Sequence, residues 1–407
     1  VHPTARGWTL AVIAGVLYFF ANQTQVGWLY VLAAIAAGVW LTALFVPRRM
    51  LRSLSLTRCI NGVSAPAELE LVVGRPATID LELANAARMP ALQVRGLETC
   101  PFAPAADRIQ PFFAPTVSSE SSTTLHYETL CARRGWFEFP PVTLTTRAPF
   151  GLFSARRDVI TPTGVLVFPE YRELERFTLL DQTPSTENTF AHIGVGGEVV
   201  SVREYRPGDS RRHIHWRSTA RAGRLIVKEF AQEAQPGLTI ALDLRAASVI
   251  GSDENTSLEL AIKVAATLAR YADRHDLPAT LATNSAAWPV PRGPLSWWVT
   301  MDYLARVQGE GDEPFADCLQ GLATTFVAAI LTAPDWAAIE PLVELRRSGL
   351  SVLAVVIDPA PFLSEGEGQP NQVEGLVGGL AAGGVSVRVI GGEPDWELTL
   401  CAQDERL

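Results

Sequence analysis

The residues best equipped for chemistry lie in one stretch, Arg203 to Lys228, where eight Lys and Arg stand against two acids. That is a local net of +6 in a chain whose formal net charge is -9. Arginine forks at this density suit phosphate or carboxylate, and with a tryptophan among them they suit a protein surface. We single out Arg203, Tyr205, Arg206, Asp209, Arg212, Trp216, Arg217 and Arg224 as partner contacts or as a clasp between domains. His213 and His215 have a spacing seen in metal sites. No acid or thiol triplet accompanies them, and Arg211, Arg212 and Arg217 would repel a cation, so a structural contact is expected. Gly194-Val195-Gly196-Gly197 lacks the Lys-Ser/Thr of a phosphate loop and reads as linkage.

A second candidate is Asp243, which ends the apolar run Leu238 to Leu242 and is followed by Leu244-Arg245-Ala246-Ala247-Ser248. A carboxylate with serine hydroxyls two and four residues on would hold a hard cation such as magnesium. Here Arg245 brings a positive charge to that place, so no metal is expected. Asp243 is expected to pair with Arg245 or to accept backbone amides. There is no GxSxG, no HExxH and no Ser/His/Asp or Cys/His constellation, so the chain is expected to be non-enzymatic, with no cofactor.

These residues need elements to hold them. Around the basic stretch, Pro207-Gly208-Asp209 signals a turn and the apolar positions keep no helical period, which predicts a strand, a tight turn, a short helix or loop and a second strand. Beyond it, apolar strands at 238–243, 279–283, 325–331, 350–357 and 385–390 alternate with helices at 258–274, 297–307, 336–347 and 373–382. This pattern predicts a doubly wound α/β domain on a parallel sheet, with ligands at the carboxyl ends of its strands. From Leu54 to Glu170 the pattern is instead short period-two segments broken by Gly and Pro, as in an all-β sandwich. The aromatic runs Gly135 to Val142 and Ala148 to Phe153 are expected to pack under that sheet.

Gly7 to Val46 contains no Asp, Glu, Lys, Arg or His, and a polar Asn22-Gln23-Thr24-Gln25 divides it into two apolar runs. The expectation is a transmembrane helical hairpin; a cleaved signal peptide is the alternative for the first run. Arg48, Arg49, Arg52 and Arg58 come after the second run, which by the positive-inside rule puts the large C-terminal part in the cytoplasm. Five scattered cysteines without a CxxC pair agree with a reducing compartment. The expected organisation is a hairpin over 1–50, a β-sandwich over 51–176, a linker with the basic motif over 177–237, and the α/β domain over 238–407. Overall acidity argues against nucleic acid. The 24 acids against 10 bases after residue 230 offer the basic stretch a counter-charge within its own chain.

The run Gly197-Glu198, Arg203-Glu204-Tyr205-Arg206-Pro207-Gly208-Asp209, Arg212, Ile214, Trp216, Ala220-Arg221, Leu225 and Lys228-Glu229 resembles the bacterial family called domain of unknown function fifty-eight. Arg134-Gly135, Pro149-Phe150-Gly151-Leu152-Phe153 and Val167-Phe168-Pro169 look like its upstream pattern, although Ala148 stands where an Asp is usual. The resemblance implies a von Willebrand factor A-like α/β domain, with a degenerate metal loop at Asp243. It also implies partnership with a MoxR-type AAA+ ATPase and with transglutaminase-like membrane proteins. The resulting expectation is an adaptor in the cytoplasmic membrane, anchored in the lipid bilayer by more than one pass. The alternative is a receptor or enzyme that clamps an anionic small molecule in the arginine-rich bend.

Overall fold

The computed structural model describes residues 1–64, 70–181, 199–204, 214–230, 235–252, 255–322, 324–363 and 371–402. They form two compact units, Val1–Glu170 and Tyr171–Leu407.

The first unit opens with strand β1 (His2–Pro3) and helices α1 (Ala5–Thr24) and α2 (Gly27–Arg52). Both helices are long and apolar enough to cross a membrane, and only 11% of each apolar window is buried, so their side chains face outward instead of filling a core. Thr4 caps α1 by accepting from the Gly7 amide at 3.2 Å, and Gln25, in the left-handed region, ends it. At the other end Arg157 Nη1 donates to the carbonyls of Leu51, Arg52 and Leu54 at 2.5, 3.0 and 2.8 Å. The last turn of a helix leaves carbonyls such as those of Leu51 and Arg52 without a donor four residues on, and a cation there also suits the helix dipole. Met50 and Leu51 enter the core of the adjoining β-strands, so α2 is welded to them.

Those strands are β2 (Leu54–Ile60), β3 (Val63–Ser64), β4 (Glu70–Val72), β5 (Pro76–Asn85), β6 (Ala91–Thr99), β7 (Ile109–Val117), β8 (Ser121–Leu130), β9 (Gly135–Glu138), β10 (Val142–Thr146), β11 (Phe153–Val159) and β12 (Gly164–Phe168). They build sheets in the orders β3-β2-β5-β8, β1-β11-β10-β6-β7 and β4-β12-β9. Strict alternation sets the buried face: in β5, Ala77, Ile79, Leu81 and Leu83 point inward with at most 1% exposure. They meet Val94, Val142 and Leu144 of the five-stranded sheet in one shared core.

Two aromatic expectations need correction. Trp136 is 50% exposed and lies over Gly164, where no Cβ would fit beneath its ring. Leu152 and Phe153 do not pack under a sheet but against the hairpin, beside Leu10, Val39, Trp40, Ala43 and Leu44. Phe153 meets the Trp40 ring edge to face at 5.2 Å.

In the second unit the elements are α3 (Thr178–Asp181), β13 (Val199–Glu204), α4 (Trp216–Ala222), β14 (Ile226–Phe230), β15 (Gln235–Leu242), β16 (Gly251–Ser252), β17 (Asn255–Thr256), α5 (Ser257–Arg274), β18 (Ala279–Thr283), α6 (Trp297–Arg306), α7 (Phe315–Cys318), β19 (Thr324–Leu331), α8 (Ile339–Arg347), β20 (Ser351–Ile357), α9 (Asn371–Ala382), β21 (Ser386–Ile390) and α10 (Trp396–Cys401). The sheet is parallel throughout, in the order β18-β15-β19-β20-β21. Strands β19 and β20 are buried over nearly their whole length because helices cover both faces, which is why they read as unbroken apolar runs. The unit begins earlier than the expected sandwich limit of 176. Arg172 N donates to Thr267 Oγ1 at 3.0 Å, and Phe177 packs edge to face on Tyr271 and Phe326, which ties residues 171–177 to α5 and the sheet.

Candidate functional site

The chain order of the parallel sheet is 2-1-3-4-5, so its direction of winding reverses between β15 and β19. Open α/β sheets bind ligands outside the carboxyl ends of strands at that reversal. Asp243 leaves β15 at this point, with its side chain fully buried. Its Oδ1 accepts from Arg245 N at 3.1 Å, Arg245 Nε at 3.0 Å and Asn284 Nδ2 at 3.0 Å, while Oδ2 accepts from Arg245 Nη2 at 2.9 Å. The guanidinium also pairs with Asp335 Oδ2 at 2.9 Å. It stays 24% exposed, against 10% for Asp335.

Each partner is placed by its element. Asn284 comes directly after β18 and is itself clamped, accepting from Leu244 N at 2.8 Å and donating to the Glu313 carbonyl at 3.0 Å. Asp335 caps the short turn after β19 by accepting from Ala337 N at 3.0 Å. Thr332 donates to the Asp243 carbonyl at 2.9 Å and meets Ser248 Oγ at 3.1 Å. Gly311 passes so close to the Leu244 and Asn284 carbonyl oxygens, 3.0 and 2.8 Å from an ideal Cβ, that a larger residue would have to push the loop open.

The electrostatics arise from that geometry. Hydrogen bonding to Asp243, then the charges of Asp243 and Asp335, hold Arg245 protonated above its ordinary range. Burial pushes the nearby Cys318 thiol up, and the Asp243 charge pushes it further. Both oxygens of Asp243 therefore accept hydrogen bonds, three at Oδ1 and one at Oδ2, and Arg245 lays its positive charge against the carboxylate. Of the two arrangements expected for Asp243, the structure has both, since Arg245 supplies side-chain and backbone donors. Among the described residues no group of three or more His, Cys, Asp or Glu is placed to hold a metal.

The basic stretch forms a second candidate. Strands β13 and β14 pair antiparallel, with Arg203 opposite Val227, and α4 stands between them in sequence. Tyr205, Arg206, Asp209, Arg212 and His213 lie outside the described residues, and of Arg203 only the backbone is described. His215 is the cap of α4: its Nδ1 accepts from Ser218 N at 3.2 Å and meets Ser218 Oγ at 2.6 Å. Gly223 in the left-handed region closes the helix, and Thr219 Oγ1 accepts from Ile226 N at 3.0 Å. On this short capped helix Trp216 is 67% exposed and Arg217 and Arg221 are exposed too, as is Arg224 just beyond the cap.

Asn284, Thr332 and Asp335 escaped the sequence reading because each is a lone polar residue far along the chain from Asp243. The available signal was position: each stands directly or a few residues after an apolar strand of the parallel sheet.

No curated protein matches the chain. Among solved structures it is similar to the CARDB domain of a Pyrococcus furiosus protein, at 12% identity and a TM-score of 0.17, covering 28% of this chain and 95% of that one. It also aligns with the Pseudomonas fluorescens alkylpurine DNA glycosylase AlkC, at 16% identity and a TM-score of 0.16, covering 37% and 42%. With a Vibrio harveyi GH20 exo-β-N-acetylglucosaminidase the values are 7% identity and a TM-score of 0.21, covering 86% and 59%. The chain thus spans less than two thirds of either enzyme, and scores this low carry no argument about fold or activity. A family profile described as "Protein of unknown function DUF58" matches residues 201–291. That span holds most of β13, all of α4 and β14, Asp243, Arg245 and Asn284, and the match supports the DUF58 family for this chain.

Proposed function

We propose that the protein is a membrane-anchored, non-enzymatic adaptor that presents the exposed face of α4 to a protein partner. The observation that carries this reading is the 67% exposure of Trp216 beside exposed Arg217 and Arg221. Trp and Arg dominate binding hot spots, and an unburied tryptophan on a capped helix has no packing role to explain it. The Asp243–Arg245 pair supports binding over catalysis, because the buried carboxylate at the sheet's reversal point is already neutralised by a guanidinium and hydrogen-bonded at both oxygens.

The resemblance to the DUF58 family supports a MoxR-type AAA+ ATPase as the partner, with a transglutaminase-like membrane protein as a further member of the assembly. It also supports reading the α/β unit as von Willebrand factor A-like, with Arg245 where such a domain holds its cation. The outward-facing apolar helices support a bilayer anchor, and Arg48, Arg49 and Arg52 at the end of α2 support a cytoplasmic placement of the chain beyond residue 52. Five unpaired cysteines support the same side.

The test is association of the full-length protein, in detergent or nanodiscs, with a MoxR-type AAA+ ATPase. Trp216→Ala combined with Arg217→Ala should weaken binding about tenfold or more, at an unchanged melting temperature. Binding that is unaffected by both substitutions, or no binding at all, sinks the proposal.

A further inference from the structure

The turn between β10 and β11 sits at the base of the helical hairpin, in the same unit. Thr4 N donates to the Leu152 carbonyl at 2.9 Å, and Thr4 Oγ1 donates to the Gly151 and Leu152 carbonyls at 2.8 and 3.0 Å. Gly7 is buried against this turn, where a Cβ would collide with the Leu152 carbonyl oxygen. Trp40 Nε1 donates to the Gly7 carbonyl at 3.1 Å, and Leu152 and Phe153 pack on Val39, Trp40, Ala43 and Leu44. The apolar run of α2 ends at Val46. With about 1.5 Å of rise per residue, Ala43 lies roughly 4–5 Å and Trp40 roughly 9 Å inside that limit. The turn therefore reaches alongside the apolar part of the hairpin instead of stopping at its edge. At its tip Phe150 is 50% exposed and Pro149 is exposed.

Charge at this place is one-sided. Residues 1–67 contain no Asp or Glu, and neither do residues 139–157. Arg58 is consumed by Glu98, Arg156 by Asp158, and Arg157 by the end of α2. Arg6, Arg48, Arg49 and Arg147 are left exposed at the hairpin base, with no ion pair among the described residues. Arg6 Nη1 lies 4.0 Å from an ideal Cβ on Gly151, so its guanidinium stands at the turn itself.

We infer that the turn from Arg147 to Leu152 is a third membrane contact, in which Phe150 enters the lipid interface and Arg6 and Arg147 bind anionic phospholipid headgroups. The inference rests on the bilayer-anchor reading of α1 and α2. An aromatic tip flanked by guanidinium groups matches the layered chemistry of that interface, apolar beneath and anionic above. It would fix the tilt of the β-domain at the membrane, which a helical hairpin alone leaves free.

The experiment uses the full-length protein in nanodiscs, with Cys59, Cys318 and Cys401 replaced by serine. A single nitroxide is placed by Phe150→Cys, by Ile35→Cys within α2, or by Ile160→Cys beyond the far end of β11, where the native side chain is 77% exposed. Collision with oxygen reports lipid, and collision with a nickel chelate reports water. Position 35 should read as lipid, position 160 as water and position 150 as lipid; Pro149→Cys on the same turn repeats the measurement should Phe150→Cys misfold. If position 35 reads as water, the anchor reading itself is lost. If position 35 reads as lipid while position 150 matches position 160, or is shielded from both reagents by protein, the anchor stands and the third contact is overturned. Spin-labelled phosphatidylglycerol should associate in preference to phosphatidylcholine, and Arg6→Gln and Arg147→Gln should each cut that preference about fivefold. An unchanged preference overturns the headgroup assignment.

Discussion

Among the described residues, two arginines pair with a fully buried carboxylate, Arg58 with Glu98 and Arg245 with Asp243, and the pairs are built to opposite specifications. In the β unit Arg58 and Glu98 are both 0% exposed, joined by Nε and Oε1 at 2.6 Å. Thr163 Oγ1 accepts from Arg58 Nη1 at 2.8 Å, and the Phe139 ring lies 4.0 Å beneath the guanidinium carbon. Yet Arg58 Nη2 is buried with no hydrogen-bond partner. In the α/β unit Asp243 is buried too, but its guanidinium reaches solvent and every carboxylate oxygen is engaged. The first pair is sealed in a core and incompletely satisfied; the second is complete and stands at the edge where α/β folds meet ligands. The two pairs share a buried carboxylate, but only the second stands at the carboxyl end of a parallel sheet with its cation reaching solvent.

The comparison breaks most sharply at Arg58. Arg58→Met or Glu98→Leu alone strands a charge in the core and should cost about 3–5 kcal/mol, read as a fall in melting temperature. The double substitution should recover most of that loss, because two apolar side chains of similar volume need no desolvation. A double variant as unstable as the single ones would mean that the pair holds the fold by more than its charge balance. A pH signature accompanies it. Burial pushes the Glu98 carboxyl above its ordinary range, against the pull of Arg58, so the carboxyl holds its proton more tightly in the folded chain than in the unfolded one. The folded protein then binds more protons than the unfolded one between about pH 4.3 and the raised folded value. The contribution of Glu98 to stability is present below that window and lost as pH rises through it. Glu98→Gln should flatten this part of the stability–pH curve.

Arg245→Ala should do less damage, about 1–3 kcal/mol, since Asn284 and the backbone amide still hold Asp243. Arg245→Lys, which keeps the charge but not the fork, should fall between alanine and the native protein in the same unfolding measurement. A loss as large as that of Arg58→Met would erase the distinction drawn between the two pairs.

Thiol chemistry separates the two regions without reference to energy. Burial pushes Cys100 and Cys131 up to about 12, so a thiol reagent at about pH 8 should spare both while modifying half-exposed Cys59. Arg58→Met should accelerate modification of Cys100 and Cys131, and Arg245→Ala should leave their rates unchanged.

The smallest effect belongs to a pair at the surface. His126 Nδ1 lies 2.8 Å from Asp80 Oδ1, and that hydrogen bond, with the Asp80 and Glu128 charges, raises the imidazole above its ordinary value. What it contributes is present below about pH 6.5 and lost as pH rises through the raised folded value. Asp80→Asn should lower the His126 titration midpoint measured by NMR and leave the melting temperature where it was.

Much of the architecture was legible because it rests on periodicity. Alternating Ala77, Ile79, Leu81 and Leu83 announce a strand with one buried face, and unbroken Val352 to Ile357 announces a strand covered on both. The charge-free run from Gly7 to Val46 gives two helices and the place of their turn. Aromatic fate was less legible, since Trp136 and Phe153 have the same apolar character whether they fill a core, cover a glycine or brace a helix. Of the basic stretch, the strand, helix and second strand appear as expected, while the residues at the expected turn lie outside the described ones.

By itself, then, the sequence determined the kinds of element, their order, the apolar hairpin, and the choice between Arg245 and backbone amides as partners of Asp243. These depend on neighbours along the chain. Only the tertiary structure decided that Asn284 and Asp335 complete the Asp243 cluster, that Glu98 answers Arg58, and that the turn after β10 reaches into the base of the hairpin. Each of those joins residues dozens of positions apart, and which distant groups meet is set by how sheets and helices pack, a quantity that no local pattern encodes.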